Sequence, residues 1–128
     1  MRPLNDPIIY THLLFIVNVA LYLHLGYALL GTVLGANGIA SYLYHRSKER
    51  NRFWRQADHI LCVVSLVFIF AYLVSNATWF QVSYCLAWLI LSLGVYWLGK
   101  TNYAFYHPLW HGFVFGGNVL VWYALGGE

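Results

Sequence analysis

Two pairs of residues at helical spacing carry most of the chemistry that this sequence can support. Ser41 and His45 are four residues apart, and so are His107 and His111. Residues four apart stack on one face of an α-helix, so each pair predicts a polar face. Asp58 adds a carboxylate at the start of a long apolar segment. Imidazole nitrogens and carboxylates are groups that bind metal ions and transfer protons in enzymes.

The imidazoles of His45, His107 and His111 predict a zinc site with an open position. A catalytic zinc has three protein ligands and keeps a fourth position for water or substrate. Such an ion lowers the pKa of its bound water to about 7 and polarises a carbonyl group. Asp58 would accept a proton from that water and return it to a leaving group, and Ser41 would donate a hydrogen bond to the developing oxyanion.

Each of these residues also has an ordinary structural interpretation. A single HxxxH spacing often arises by chance, and His45 can simply anchor a helix end near a membrane surface. Asp58 can pair with Arg52 or Arg55 in a loop, and the Ser41 hydroxyl can bond to a carbonyl group of its own helix. The functional interpretation therefore depends on whether the candidate residues share one membrane depth.

The composition indicates a membrane protein. The chain has 128 residues, of which 61% are hydrophobic and only 9% are charged. Soluble domains carry about 25% charged residues, so these few charges cannot coat a water-soluble globule. Two cysteines cannot build a disulfide-rich secreted fold either. Five of the seven basic residues fall within residues 46–55, a clustering typical of membrane topology rather than of nucleic-acid binding.

We expect an all-α integral membrane bundle of about five transmembrane helices, because one span needs about 20 mostly apolar residues. The whole chain, residues 1–128, is predicted to form a single transmembrane domain. The five predicted spans are residues 8–26, 27–45, 58–75, 78–99 and 107–126. The first two spans must be joined by a very tight turn around Gly26, or the first helix ends a little earlier.

The basic residues predict the orientation of the bundle. Cytoplasmic loops collect Lys and Arg, and if residues 46–55 are cytoplasmic, alternation puts Arg2 and Lys100 on the same side. The amino terminus is then cytoplasmic and the carboxyl terminus lies outside. All five candidate residues fall at the cytoplasmic ends of three helices, where a compact bundle would bring them together.

Small residues predict which face of the second span points into the bundle. Gly31, Gly35 and Gly38 lie on the same side as Ser41 and His45. Small residues at this spacing let helix backbones approach closely. The polar face should therefore point at a neighbouring helix and not at lipid.

The other polar residues predict a polar mouth above an apolar interior. Cys62 and Ser65 share the face of Asp58, and Asn118 continues the face of His107 and His111 deeper into the membrane.

The remaining histidines have no patterned partner. His12 lies near the inner end of the first span and can approach the site, but packing is its expected role. His24 lies toward the outer end. His59 is about 100° around its helix from Asp58 and should face a neighbour or lipid headgroups.

The order of these motifs resembles the CREST superfamily of membrane hydrolases. Its SxxxH, Asp and HxxxH motifs are similar to residues 41–45, Asp58 and residues 107–111. The Tyr-His ending and the Asp-His pair look most like the hemolysin III and progestin/adipoQ receptor branch, and the HxxWH form is similar to alkaline ceramidases.

This resemblance implies a zinc ion held by His45, His107 and His111, with Asp58 and Ser41 beside the bound water. It also implies cleavage of the amide bond of ceramide, or a receptor that retains a similar site. The family core has seven spanning helices, whereas this chain has room for about five. Since the missing pair would normally wall the substrate cavity, a partner subunit fills the gap, the cavity opens to lipid, or catalysis has been lost.

The leading hypothesis is a zinc-dependent intramembrane hydrolase of a lipid amide or ester, which releases a fatty acid. The alternative is a non-enzymatic zinc-containing receptor or lipid-binding protein of the progestin/adipoQ receptor type. A haem protein with two axial histidines and a small pore are further alternatives. The expected partner is a membrane lipid, a homo-oligomer is compatible with the gap, and no nucleic acid is expected.

Overall fold

The computed structural model describes residues 1–127, and within this range the regular structure is entirely α-helical. The helices are α1 (Pro7–Tyr10), α2 (Leu13–His24), α3 (Ala28–Arg46), α4 (Arg52–Asn76), α5 (Trp79–Leu98) and α6 (Tyr103–Ala124). The predicted all-α bundle is confirmed, with five long helices and one short one at the amino terminus.

Three segments are long and apolar enough to cross a membrane, namely Pro7–His24, Arg52–Asn76 and Trp79–Leu98. The other two long helices, α3 and α6, have 19 and 22 residues and lack so apolar a stretch, because polar side chains interrupt them. Those polar side chains point inward, because Ser41 and His45 on α3 and His111 and Asn118 on α6 are all buried. The bundle interior therefore holds the groups that lipid would not accept.

The first predicted span is interrupted where one continuous helix was expected. Thr11 and His12 separate α1 from α2. The backbone N–H of His12 bonds to the carbonyl of Ile9 at 3.2 Å, and that of Phe15 bonds to the carbonyl of His12 at 3.1 Å. Bonds that reach only three residues back tighten the chain into a 3₁₀-like turn.

Two helices begin earlier than predicted, because capping side chains start them outside the apolar layer. α4 begins at Arg52 and not at Asp58, since the Asn51 side chain accepts a backbone N–H of the first turn at 3.2 Å. Asn102 caps α6 in the same way at 3.3 Å, so this helix begins at Tyr103, about one turn before its predicted start.

The glycine face of α3 packs closely against α2, as its spacing predicted. A Cβ atom added at Gly38 would lie 2.9 Å from the Cβ atom of Phe15, and one at Gly31 would lie 3.1 Å from the Leu23 side chain. Gly26, in the tight turn between the two helices, has a φ of 80°, which favours glycine. This close packing brings the start of α2 beside the end of α3.

The helices leave a large cavity on one side of the bundle. α4 packs along α3 and α5 packs along α6, whereas α4 touches α5 and α6 only sparsely. A cavity of about 850 Å³ lies between them, with mostly apolar walls. Asp58, Cys62 and Ser65 line it along α4, as their shared helix face predicted.

Candidate metal centre

Four histidines meet at one end of the bundle. The ring centroids of His45 and His107 are 4.5 Å apart, as are those of His12 and His111, and His45 and His111 are 5.7 Å apart. His12, His45 and His111 are buried, whereas His107 is partly exposed. The structure thus brings together the three histidines that the sequence singled out, and it adds His12.

His45 is held by a carboxylate. Its Nδ1 atom lies 3.1 Å from Oε1 of Glu49. An ionised carboxylate can only accept a hydrogen bond, so Nδ1 of His45 carries the proton and donates it. In the neutral ring this tautomer leaves Nε2 unprotonated and able to bind a metal ion.

His12 is held in the same tautomer by the backbone. Its Nδ1 atom lies 2.6 Å from the carbonyl oxygen of Ile8, which can only accept. The unprotonated Nε2 atom of His12 lies 3.1 Å from Oγ of Ser41 and accepts a hydrogen bond from this hydroxyl group. The tautomer of His12 is therefore fixed by a backbone carbonyl of α1, the short helix that precedes it.

His111 is held by the hydroxyl group of Thr11, the residue that follows α1. Its Nδ1 atom lies 2.7 Å from Oγ1 of Thr11. The Thr11 hydroxyl donates its proton to the carbonyl of Pro7 at 2.9 Å, so it accepts from His111. His111 is thus the third ring in which Nε2 is left unprotonated.

These three rings form a compact group with donor atoms suited to zinc. One ring nitrogen from each of His12, His45 and His111 lies within 4.8 Å of those of the other two. Zinc binds neutral imidazole nitrogens at about 2.0–2.1 Å. Ligand histidines in metal proteins usually donate their other N–H to a carboxylate or carbonyl group, as His45 and His12 do. The residues therefore fit a zinc ion.

His107 lies beside this group. Its Nε2 atom is 3.1 Å from Nε2 of His45. Two nitrogens bound to one tetrahedral zinc lie about 3.3 Å apart, so this separation suits a shared ion. The compact group found within residues 1–127 nevertheless has His12 where the sequence analysis placed His107. The ring of His107 also stacks on Tyr103, with centroids 4.4 Å apart.

Ser41 and Asp58 lie next to the histidines, at the polar end of the cavity. Ser41 is buried, and the Asp58 carboxyl group approaches its hydroxyl from α4. Within residues 1–127, Asp58 forms no ion pair with Arg52 or Arg55, the loop pairing that its position in the sequence also allowed.

Glu49 is a residue of this site that the sequence analysis did not single out. Its carboxylate accepts hydrogen bonds from the Tyr103 hydroxyl at 2.7 Å, from Nη2 of Arg2 at 2.9 Å and from His45. Burial opposes ionisation of Glu49, but the hydrogen bonds from Tyr103 and His45 outweigh it and lower the pKa of this carboxyl group. The ionised form that fixes the His45 tautomer is thus favoured.

The amino terminus and both basic loops lie at this same end of the bundle. The backbone N–H of Arg2 bonds to the carbonyl of Arg46 at 3.1 Å. Tyr103, which follows the loop containing Lys100, bonds to Glu49 in the loop between α3 and α4. All seven basic residues therefore belong to one end of the molecule.

The arrangement suits a single ion. The ring centroids of the contacting histidine pairs are 4.5 to 5.7 Å apart, which leaves no room for a porphyrin between two axial histidines. In comparisons with family models, curated proteins and solved structures, the chain matches none of them.

Proposed function

We propose that this chain is a zinc-dependent intramembrane hydrolase that cleaves a lipid amide or ester and releases a fatty acid. One observation carries the proposal. Three buried histidines each donate Nδ1–H to a neighbouring acceptor, and one ring nitrogen of each lies within 4.8 Å of those of the other two. The resemblance of the motifs to the CREST superfamily supports the same reading.

His12, His45 and His111 would hold the ion, with His107 beside them. Imidazole nitrogen suits zinc, whereas magnesium and calcium prefer oxygen ligands. When bound, zinc supplies Lewis-acid polarisation of the lipid carbonyl group.

Asp58 and Ser41 would carry the proton transfers and the charge of the reaction. A water molecule attacks the carbonyl carbon while Asp58 accepts its proton. The Ser41 hydroxyl donates a hydrogen bond to the oxyanion that develops. The bond from carbon to nitrogen or oxygen then breaks, and Asp58 returns the proton to the leaving amine or alkoxide. The products are a fatty acid and an amine or an alcohol.

The cavity supports a lipid as the substrate. Its apolar walls run from the histidines into the bundle between α4 and α5, where the helices touch little. An acyl chain would enter from the bilayer by this gap and leave its carbonyl group at the polar end. The basic loops lie at the histidine end of the bundle. Because cytoplasmic loops collect basic residues, this end would lie on the cytoplasmic side of the membrane, beneath the inner headgroups.

A second candidate is a non-enzymatic receptor or lipid-binding protein with a structural zinc ion. The position of His107 favours it, since Nε2 of His107 lies 3.1 Å from Nε2 of His45. Four histidines around one ion would close its coordination, and closed four-coordinate sites are structural.

Metal content tests the site itself. The full chain, purified in detergent, should contain about one zinc ion, as a three-histidine site predicts. His111→Ala should contain much less, whereas His24→Ala is the matched control because His24 is exposed and belongs to no cluster. Equal zinc in the parent and in His111→Ala would eliminate the site.

Fatty-acid release separates the enzyme from the receptor. The zinc-loaded parent should release fatty acid from ceramide in a lipid bilayer. Asp58→Asn should keep its zinc but lose activity by about 10²- to 10⁴-fold, the usual contribution of a general base. A zinc-loaded parent that is inactive on both ceramide and phospholipid esters would favour the receptor.

A further inference from the structure

The cavity below the histidines contains two polar atoms that lack partners. Oδ1 of Asn37 and Oγ of Ser65 are buried and form no hydrogen bond within residues 1–127. Asn37 is 8% exposed and Ser65 is 3% exposed, and both residues line the cavity. Nearly all buried polar groups in proteins are hydrogen-bonded, so two unpaired atoms on residues that line one cavity are candidates for contacts with a bound molecule.

Both atoms lie deeper in the bundle than the metal centre. Asn37 precedes Ser41 by one turn of α3, and Ser65 follows Asp58 by two turns of α4. At a rise of 1.5 Å per residue, Asn37 is about 6 Å deeper than Ser41, and Ser65 is about 10 Å deeper than Asp58. A ligand whose polar head lies at the metal centre must therefore extend along the cavity to reach either residue.

Other buried polar residues of the cavity already have partners. The Ser92 hydroxyl donates to the carbonyl of Trp88 at 2.8 Å. The Asn118 side chain donates to the carbonyl of Val114 at 2.9 Å and accepts from the Tyr22 hydroxyl at 3.3 Å. These groups are satisfied within the protein, whereas Oδ1 of Asn37 and Oγ of Ser65 are not.

We propose that Asn37 and Ser65 form a second polar subsite, which binds a hydroxyl group carried part-way along the acyl chain of the lipid. The proposal rests on the proposed function, because it takes the polar head of that lipid to lie at the histidines. It identifies the substrate class as hydroxylated acyl lipids.

The chemistry of the two side chains selects a hydroxyl group. Oδ1 of Asn37 can only accept, so its partner must donate. The Ser65 hydroxyl can donate or accept, and a ligand hydroxyl can do both at once. A ligand carbonyl or ether oxygen would leave Oδ1 of Asn37 unpaired. The adjacent walls at Leu34, Leu73 and Val121 are apolar and suit the methylene groups on either side.

Two fatty acids that differ only in this group provide the test. We would measure the binding of radiolabelled stearate and of a mid-chain hydroxystearate to the full-length protein in nanodiscs. Neither probe contains a bond that the enzyme would cleave, so the measurement does not require turnover. The parent should bind the hydroxylated chain roughly three- to tenfold more tightly, the usual effect of a net hydrogen bond.

Variants assign that preference to the two side chains. Asn37→Leu combined with Ser65→Ala should remove the preference and leave stearate binding unchanged. Ser92→Ala deletes the same hydroxyl group from the same cavity, but from a residue that is already bonded within its helix, so it should keep the preference. If melting shows that the double variant does not fold, Ser65→Ala alone should reduce the preference.

Three results would overturn the subsite. The first is equal binding of both probes by the parent, as expected if water alone fills the subsite. The second is a preference for the hydroxylated chain that survives in every Ser65 variant that folds, and the third is a loss of that preference in Ser92→Ala as large as in the double variant. Zinc measured in the same samples keeps the two proposals apart. A zinc-loaded parent without a preference overturns only the subsite, whereas a zinc-free parent with the preference overturns only the metal centre.

Discussion

Nδ1 of His45 lies 3.1 Å from Oε1 of Glu49, four residues further along the chain. His45 lies in the last turn of α3, and Glu49 follows it in a loop that folds back on the helix, with a φ of 63° at Glu49. The contact therefore joins a buried imidazole to a loop carboxylate that also accepts from Arg2 and Tyr103.

Glu49→Gln should weaken zinc binding by about 10- to 100-fold, the usual cost of losing a carboxylate behind a ligand histidine. The amide is neutral and accepts the His45 N–H more weakly. Competition with a chelator of known affinity measures the change. Asp6→Asn is the control, because Asp6 bonds to Arg2 but not to a histidine. A Glu49→Gln protein with the affinity of the parent would contradict this role.

His12→Ala should lose most of its zinc, because His12 belongs to the compact group of three nitrogens. Removing a ligand should cost more affinity than the roughly 10- to 100-fold effect of removing its outer partner. Zinc content after dialysis measures the loss, with His59→Ala as the control since His59 is exposed. If His12→Ala keeps its zinc and His107→Ala loses it, the ion is held by the set inferred from the sequence.

Thr11→Val should weaken zinc binding by about tenfold or more, because the isosteric side chain leaves the His111 N–H without its acceptor. Thr32→Val is a matched control, since its hydroxyl bonds only within α3 at an exposed position. Titration with zinc compares the two proteins. Equal losses in both would mean that any Thr-to-Val change perturbs the bundle, and would remove the special role of Thr11.

Gly38→Ala should lower the free energy of unfolding by about 1–3 kcal/mol, because the added methyl group would overpack the contact between α2 and α3. The new Cβ would lie 2.9 Å from the Phe15 side chain. Gly94→Ala has no atom within 4 Å of the added group and should be neutral or stabilising by up to about 1 kcal/mol. Melting in detergent compares them, and a Gly38→Ala protein as stable as Gly94→Ala would refute the close packing.

The sequence predicted the bundle because its signals are local. Apolar length gave the five long helices, and the glycine spacing of α3 indicated the face that packs against α2. Helix starts were less accurate, since capping by Asn51 and Asn102 begins α4 and α6 outside the apolar layer. Charge clustering also predicted that the basic segments share one end of the bundle, as the contact of Arg2 with the carbonyl of Arg46 supports.

The site was predictable only where pairs repeat at helical spacing. His45, His107 and His111 stand in such pairs, and the structure places them together. His12 has no partner on its own helix, and its role depends on tertiary packing against Ser41. Its only signal in the sequence was its expected depth, which matched that of the others. Glu49 had a local signal, as an acidic residue four positions after His45 in a basic loop.

The hydrogen bond between Thr11 and His111 joins residues that are 100 positions apart. A nascent chain therefore cannot assemble this group of side chains until its last helix has left the ribosome and entered the bundle. If the centre holds zinc as proposed, metal capture would be a late step of biogenesis, and the ion would act as a clasp between the two ends of the polypeptide. A truncated product would then reach the membrane unable to load metal.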